Sequence, residues 1–122
     1  MQFSKPKILI IDDDETLCNV IGEELDQENY SVTCSLSGRD GLEKLRLDNF
    51  DLVILDNQMP EMDGYEVLLE IRNINPSLPV IIITANTDIE TINKFSQIGI
   101  SALVNKPFEF EDLLTSIQKC IL

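Results

Sequence analysis

The chain has 122 residues, 43% of them hydrophobic, and a formal net charge of −13. This length suits one domain, 1–122, with a hydrophobic core that needs no metal or disulfide. A surface this acidic repels nucleic acid and anionic membranes, so we expect proteins as the partners. No apolar run approaches the roughly 20 residues that span a bilayer, and residues 1–7 contain no signal-peptide core, so we expect a cytoplasmic protein.

Ten segments of regular structure are predicted, with strands and helices alternating throughout. Continuous apolar runs are typical of strands buried on both faces of a helix-covered parallel sheet, and apolar residues at intervals of three and four indicate amphipathic helices. In chain order we predict a strand over 8–11, a helix over 15–28, a strand over 30–36, a helix over 38–47, a strand over 52–55, a helix over 64–73, a strand over 80–83, a helix over 88–97, a strand over 101–104 and a helix over 109–121.

The helical spacing also predicts which side chains face the core. The expected buried sets are Leu17, Val20, Ile21 and Leu25 in the first helix, Ile89, Ile92 and Phe95 in the fourth, and Phe110, Leu113, Leu114 and Ile117 in the fifth. Asp63 can cap the third helix at its start, and Gly99 can cap the fourth at its end. Five strands that alternate with five helices predict an α/β protein, with a parallel sheet covered by helices on both faces.

Four of the five predicted strands lead into a polar or charged side chain. Asp12 and Asp13 follow the first strand, Asp56 the third, Thr84 the fourth and Lys106 the fifth. Because the carboxyl ends of parallel strands lie along one edge of the sheet, we expect these groups to share that edge. If the first and third strands are neighbours, three carboxylates converge there and need a cation beside them.

This set of groups is suited to phosphoryl transfer. Hard carboxylate oxygens with room for water suit Mg²⁺, while the ammonium of Lys106 and the hydroxyl of Thr84 can stabilise the negative charge of a phosphoryl group. A carboxylate can itself be the nucleophile and form an acyl phosphate. The residues therefore indicate phosphoryl transfer onto an aspartate, in a chain without any histidine.

Four motifs, spread over essentially the whole chain, carry a family resemblance. They are Ile8-Leu-Ile-Ile-Asp12-Asp13, Asp56-x-x-Met59-Pro60-x-Met62-Asp63-Gly64, Ile83-Thr84-Ala85 and Lys106-Pro107-Phe108. In this order they resemble the response-regulator receiver domain of two-component signalling. The resemblance implies a flavodoxin-like, doubly wound five-stranded sheet in the order 2-1-3-4-5 with five helices. It also implies a phosphorylation-controlled switch that signals through protein contacts, and not a conventional enzyme.

The same resemblance implies how the phosphoryl group is handled. Asp56 would accept it from the phosphohistidine of a partner histidine kinase or histidine phosphotransfer protein. Thr84 and Lys106 would then bind the phosphoryl oxygens, and the Lys106-Pro107 peptide bond is expected to be cis.

A magnesium site is implied as well. Asp13 and Asp56 would ligate Mg²⁺ directly, Asp12 mainly through water, and the main-chain carbonyl of Gln58 would complete the protein ligands. Slow self-dephosphorylation is expected, with Gln58 and Asn86 beside the site tuning its rate.

One position departs from the family pattern. Counted from Gly99 to Lys106, Leu103 stands where family members usually carry a switching Tyr or Phe. The rotation of an aromatic side chain coupled to the Thr84 hydroxyl therefore cannot occur in its usual form. This affects how the signal would reach a downstream protein target, not phosphorylation itself. The last predicted helix runs to the end of the chain, so we expect no output domain in it.

Three other functions compete with the receiver interpretation. Residues 8–17, with Asp12-x-Asp14, also resemble the first motif of haloacid-dehalogenase-type phosphatases, in which Asp12 in place of Asp56 would be the nucleophile. A receiver-like interaction module that is never phosphorylated would usually lack one of the acids, the threonine or the lysine. A flavodoxin-like nucleotide binder would need glycines and free amides where the first loop is acidic.

Cys18, Cys34 and Cys120 are widely spaced and lie among apolar neighbours. An odd number of cysteines without a Cys-x-x-Cys pair argues against a disulfide framework and against a zinc site. We therefore expect three buried free thiols.

Overall fold

Five strands alternate with five helices in the computed structural model, which describes residues 5–121. In chain order they are β1 Lys7–Ile11, α1 Glu15–Gln27, β2 Ser31–Ser35, α2 Gly38–Leu47, β3 Leu52–Asp56, α3 Gly64–Ile74, β4 Val80–Thr84, α4 Ile89–Ile98, β5 Ala102–Asn105 and α5 Phe110–Cys120. Every predicted element is present. Two expectations lie partly outside the described residues. They are the domain bounds 1–122 and the lack of a signal peptide in 1–7.

The five strands form one parallel sheet in the order β2-β1-β3-β4-β5. In the register of the sheet, Ile10 of β1 lies between Cys34 of β2 and Ile54 of β3. The predicted doubly wound α/β fold and its strand order are therefore confirmed. The order matters for function because it makes β1 and β3 neighbours, so the residues that follow these two strands come together at one edge.

The two faces of the sheet carry separate apolar layers. Along β1, Ile8 and Ile10 face one layer while Leu9 and Ile11 face the other, because successive side chains of a strand point to opposite faces. The first layer is completed by α1 and α5, and the second by α2, α3 and α4. Burial on both faces explains why β3 and β4 are apolar at every position before their last residue.

Short polar side chains begin four of the five helices. Asp14, Ser37, Asp63 and Asp88 each accept a hydrogen bond from a main-chain N–H in the first turn of the helix that follows. At Asp63, the predicted cap, the side chain of Glu66 also bonds back to the main chain and forms a capping box. Among the described residues, no helix has the length and apolar character needed to cross a membrane.

Two side chains that were predicted to be buried are exposed. Val20 is 48% exposed because the buried stripe of α1 consists of Cys18, Ile21 and Leu25, and Val20 lies to one side of it. Ile89 is 77% exposed. It is the first residue of α4 and lies about 240° around the helix from Phe95, through which α4 packs on the sheet.

The thiols also differ from the expectation. Cys18 is buried, but Cys34 and Cys120 are only half-buried, since one lies on the edge strand β2 and the other in the last turn of α5. All three are free. Contact with the Cys34 thiol, together with burial, holds the pKa of the Cys18 thiol above its usual range.

Gly64, the first residue of α3, allows the helix to approach the end of β3. Its N–H donates to the carbonyl of Asn57 over 2.9 Å. A Cβ atom at this position would lie 2.6 Å from the carbonyl oxygen of Asp56 and 2.8 Å from the Cα of Asn57. These are main-chain atoms that cannot turn aside, so only glycine fits where α3 begins.

We expect Gly64→Ala to lower the free energy of unfolding by about 2 kcal/mol or more, because the added methyl group meets fixed main chain. The matched control is Gly22→Ala inside α1, where the nearest atom to a new Cβ is a Val32 methyl at 3.7 Å. That change should stabilise the protein by roughly 0.5–1 kcal/mol, since alanine favours helix. Urea unfolding of the two variants tests the pair, and equal stability of the two would contradict it.

Candidate functional site

Three carboxylates meet at the carboxyl edge of the sheet. Asp12 and Asp13 follow β1, Asp56 ends β3, and one oxygen of each lies within 4.8 Å of the others. Asp12 is fully buried and Asp56 is 4% exposed, whereas Asp13 faces solvent. The convergence predicted from the strand ends is present because β1 and β3 are paired in the sheet.

The ammonium of Lys106 lies between the two buried carboxylates. Its Nζ donates to Oδ2 of Asp12 and to Oδ1 of Asp56, each over 3.2 Å. The main-chain N–H of Lys106 donates to the carbonyl of Thr84 over 2.8 Å, which ties the loop after β5 to the end of β4. The Lys106-Pro107 peptide bond is cis, as expected.

Burial controls the charges of this group. It raises the pKa of Asp56, and the nearby Asp12 carboxylate raises it further, so that the Lys106 ammonium offsets these effects only in part. Burial alone would lower the pKa of Lys106, but the carboxylates of Asp12 and Asp56 raise it above its ordinary value. The ammonium therefore stays charged at neutral pH.

The loop after β1 is held in place by its own acids. Oδ1 of Asp12 accepts from the main-chain N–H of Asp14 over 2.9 Å. Asp14 in turn caps α1 through the N–H of Leu17 over 3.1 Å. Asp12 thus presents one oxygen to its own loop and the other to Lys106, which fixes its orientation at the site.

Gln58 lies directly beside the acids. The nearby main-chain N–H of Gln58 favours the charged form of the Asp56 carboxylate, which partly counters the raised pKa of that group. The side chain of Gln58 is exposed. Asp12, Asp13 and Asp56 are therefore close together, as their positions at strand ends predicted, and Gln58, which was named through the family resemblance, follows Asp56 by two residues.

Thr84 is buried at the end of β4, and its hydroxyl is fully engaged. The hydroxyl accepts from the main-chain N–H of Asn86 over 2.9 Å and from Nδ2 of Asn57 over 3.3 Å. It donates to the carbonyl of Asn86 over 3.2 Å. Asn57 was not among the predicted site residues, because the sequence does not reveal to which side its side chain turns once β3 ends.

The donor set fits a hard divalent cation. Three carboxylates supply oxygen ligands, and the exposed Asp13 leaves one side open to water, as suits a cation that keeps part of its hydration shell. No thiol or imidazole lies in this cluster, so the ligand chemistry favours Mg²⁺ over zinc or copper.

Leu103 lies opposite Ile82 in the pairing of β4 with β5 and is half-buried. It packs against the apolar layer that contains Phe95. An aliphatic side chain thus occupies the β5 position at which an aromatic residue was expected from the family pattern.

Comparison with known proteins agrees with this fold. Residues 8–118 match the family described as the response regulator receiver domain. The chain is 38% identical over 114 residues to the transcriptional regulatory protein ZraR of Escherichia coli (strain K12), covering 93% of this chain and 26% of that protein. It is 40% identical over 114 residues to the response regulator ArlR of Staphylococcus saprophyticus, covering 92% of this chain and 50% of that protein.

Solved structures show the same likeness. The chemotaxis protein CheY4 of Vibrio cholerae superimposes with a TM-score of 0.91 at 28% identity, covering 96% of this chain and 99% of that one. The chain therefore covers 99% of that solved chain, but only 26% of ZraR and 50% of ArlR.

In metal-free buffer at pH 7, we expect Asp56→Asn to raise the free energy of unfolding, because it removes a buried charge. The folded protein holds the pKa of Asp56 above its ordinary value, so as the pH falls this carboxyl takes up its proton earlier in the folded state. The advantage of the variant should therefore shrink as the pH falls through the raised pKa, and vanish below the ordinary carboxyl value of about 3.9.

Urea unfolding between pH 7 and pH 3 measures this effect, with the exposed Glu43→Gln as a control that should change stability little at any pH. With Mg²⁺ at about a hundredfold excess over its dissociation constant, the wild type should gain about 2.7 kcal/mol, and the variant less. An advantage of Asp56→Asn that grows towards low pH would contradict the prediction.

Proposed function

Because the chain belongs to the response regulator receiver domain family, we propose that it acts as a phosphorylation-controlled signalling switch with Asp56 as the phosphoryl acceptor. One observation carries the assignment: the Lys106 ammonium is shared by Asp12 and Asp56 at 3.2 Å each, beside the exposed Asp13. This arrangement supports a site in which the carboxylate of Asp56 is the nucleophile, with further acids and an ammonium beside it.

The proposed reaction is an in-line displacement at phosphorus. A carboxylate oxygen of Asp56 forms a bond to the phosphorus of a phosphohistidine, and the phosphorus–nitrogen bond breaks. The imidazole nitrogen keeps the bonding electron pair and takes up a proton, while Asp56 becomes an acyl phosphate. The donor would be a histidine kinase or a histidine phosphotransfer protein, since the chain has no histidine of its own.

Asp12, Asp13 and Asp56, with the main-chain carbonyl of Gln58, are the groups that would hold Mg²⁺. When bound, the cation would screen the acids from one another and neutralise part of the charge on the phosphoryl oxygens. The carboxylate oxygens within 4.8 Å of one another support this assignment. The exposure of Asp13 supports it too, because it leaves an open approach from solvent.

Lys106 and Thr84 would bind the phosphoryl oxygens once the acyl phosphate has formed. Phosphorylation removes the negative charge of the Asp56 carboxylate itself, so the ammonium of Lys106 can turn towards the new phosphoryl oxygens while it keeps its contact with Asp12. The raised pKa of Lys106 supports this role, because the ammonium remains charged at neutral pH. The hydroxyl of Thr84, on the neighbouring strand, would donate a further hydrogen bond.

The switch would act on partner proteins through α4, β5 and α5, the elements that follow Thr84. Leu103 lies in β5, and Lys106 lies in the loop between β5 and α5. Driving a two-state switch nearly to completion takes about 5.5 kcal/mol of differential binding. Gln58 and Asn86 beside the site would tune the rate of slow self-dephosphorylation. Because the phosphoryl group is transferred onto the protein itself, we propose a signalling switch and not a conventional enzyme.

The partners follow from the same proposal. A kinase or phosphotransfer protein and a downstream protein target would be met in the cytoplasm, and the net charge of −13 argues against nucleic-acid or membrane binding by this chain itself. The assignment of 1–122 to a single receiver domain without an output domain remains a prediction.

We expect the wild-type protein to gain the mass of one phosphoryl group when it is incubated with acetyl phosphate and Mg²⁺. Asp56→Asn should gain none, because the nucleophilic oxygen is lost. Asp12→Asn should gain the group more slowly, since its nucleophile remains but one of the acids around the cation is missing. Intact-protein mass spectrometry measures all three, with Glu43→Gln as an exposed acid-to-amide control that should react like the wild type.

Two outcomes would overturn the proposal. An adduct that persists in Asp56→Asn but is lost in Asp12→Asn would make Asp12 the nucleophile and favour the phosphatase alternative. A wild type that gains nothing with donor in excess would favour an interaction module that works without phosphorylation.

A further inference from the structure

We propose that Asn57 is a positioning residue that holds the Thr84 hydroxyl in its unphosphorylated orientation and thereby sets how readily the site accepts a phosphoryl group. The inference rests on the proposed function of Asp56 and Thr84. It starts from a contact between residues 27 positions apart in the chain, in which Nδ2 of Asn57 donates to Oγ1 of Thr84 over 3.3 Å.

The main chain of Asn57 is fixed from two sides. Its N–H donates to the carbonyl of Ile83 over 3.0 Å, and its carbonyl accepts from the N–H of Gly64 over 2.9 Å. The close approach of Gly64 leaves no room for a Cβ between the two segments. The main chain that carries the Asn57 side chain is therefore fixed, so little backbone conformational entropy is lost when the side-chain amide contacts Thr84.

The hydroxyl of Thr84 has no hydrogen-bonding capacity to spare. A hydroxyl group can donate one hydrogen bond and accept two. Thr84 donates to the carbonyl of Asn86 and accepts from the N–H of Asn86 and from Asn57, so all three are used. To donate to a phosphoryl group on Asp56, the hydroxyl must give up its bond to the carbonyl of Asn86. A rotation about χ1 that brings the hydroxyl towards that group also takes Oγ1 away from its two donors.

Asn57 adds to the free energy of this rotation. The two bonds to Asn86 come from the main chain and are independent of side-chain identity, whereas the third bond depends on an amide at position 57. Asn57 follows the phosphoryl acceptor directly in the chain and is half-buried. A side chain there that cannot donate should leave the hydroxyl freer to turn and favour the phosphorylated arrangement.

The test compares Asn57→Leu and Asn57→Ala with wild type, and uses Asn93→Ala on the exposed face of α4 as a control. The first readout uses metal-free, unphosphorylated protein. Three-bond couplings of the Thr84 methyl carbon to the main-chain nitrogen and carbonyl carbon report its χ1 angle. We expect a single rotamer in the wild type and in Asn93→Ala, and averaging between rotamers in both Asn57 variants.

The second readout is the affinity for beryllofluoride, a phosphoryl mimic, in the presence of Mg²⁺. We expect the Asn57 variants to bind it about threefold to tenfold more tightly, which corresponds to the loss of one ordinary hydrogen bond. With Thr84→Val as the background, the same Asn57 changes should have no effect, because the hydroxyl they release is absent. Two substitutions of different size guard against a loss of folding in one of them.

The outcomes separate this inference from the proposed function. Unchanged Thr84 couplings in both Asn57 variants would overturn the positioning role, and so would an equal gain in affinity with Thr84→Val. If the wild type binds no beryllofluoride and gains no phosphoryl mass, the proposed function fails. The coupling measurement still decides whether Asn57 orients Thr84.

Discussion

Two buried carboxylates that share one ammonium are the constraint on which the rest of this site depends. Asp12 and Asp56 are both nearly inaccessible to solvent, and each lies 3.2 Å from Nζ of Lys106. Removing two such charges from water without a cation would be costly. The ammonium offsets that cost only partly, since the pKa of Asp56 remains raised. The site is thus poised to accept a further cation or to lose the charge on Asp56.

The parallel sheet makes this arrangement possible. Since every strand runs in the same direction, the carboxyl ends of β1, β3, β4 and β5 deliver Asp12, Asp56, Thr84 and Lys106 to one edge. Buried apolar layers on both faces hold the strands in register. The reacting groups are therefore positioned by a rigid core, while the loops that carry them need only a few hydrogen bonds of their own.

Leu103 is the position at which this chain departs from the family pattern, and Thr84 is held by specific side-chain and main-chain contacts. The hydroxyl of Thr84 is held by Asn57 from the loop after β3 and by Asn86 from the loop after β4. Leu103, paired opposite Ile82, places an aliphatic group where an aromatic one is usual. In the proposed switch, the side chain of Asn57 and the packing of Leu103 are the specific features that would set the balance between the two states.

The sequence alone determined the succession of strands and helices, and it identified Asp12, Asp13, Asp56, Thr84 and Lys106 as groups at strand ends. It could do so because apolar runs and helical periodicity are local patterns, and parallel strands place all their carboxyl ends at one edge. Strand order came only through the family resemblance, since no local pattern reports which strands are neighbours. The exposure of Val20 and Ile89 and the bond from Asn57 to Thr84 were decided by tertiary structure, because each depends on the direction of a side chain relative to a distant segment.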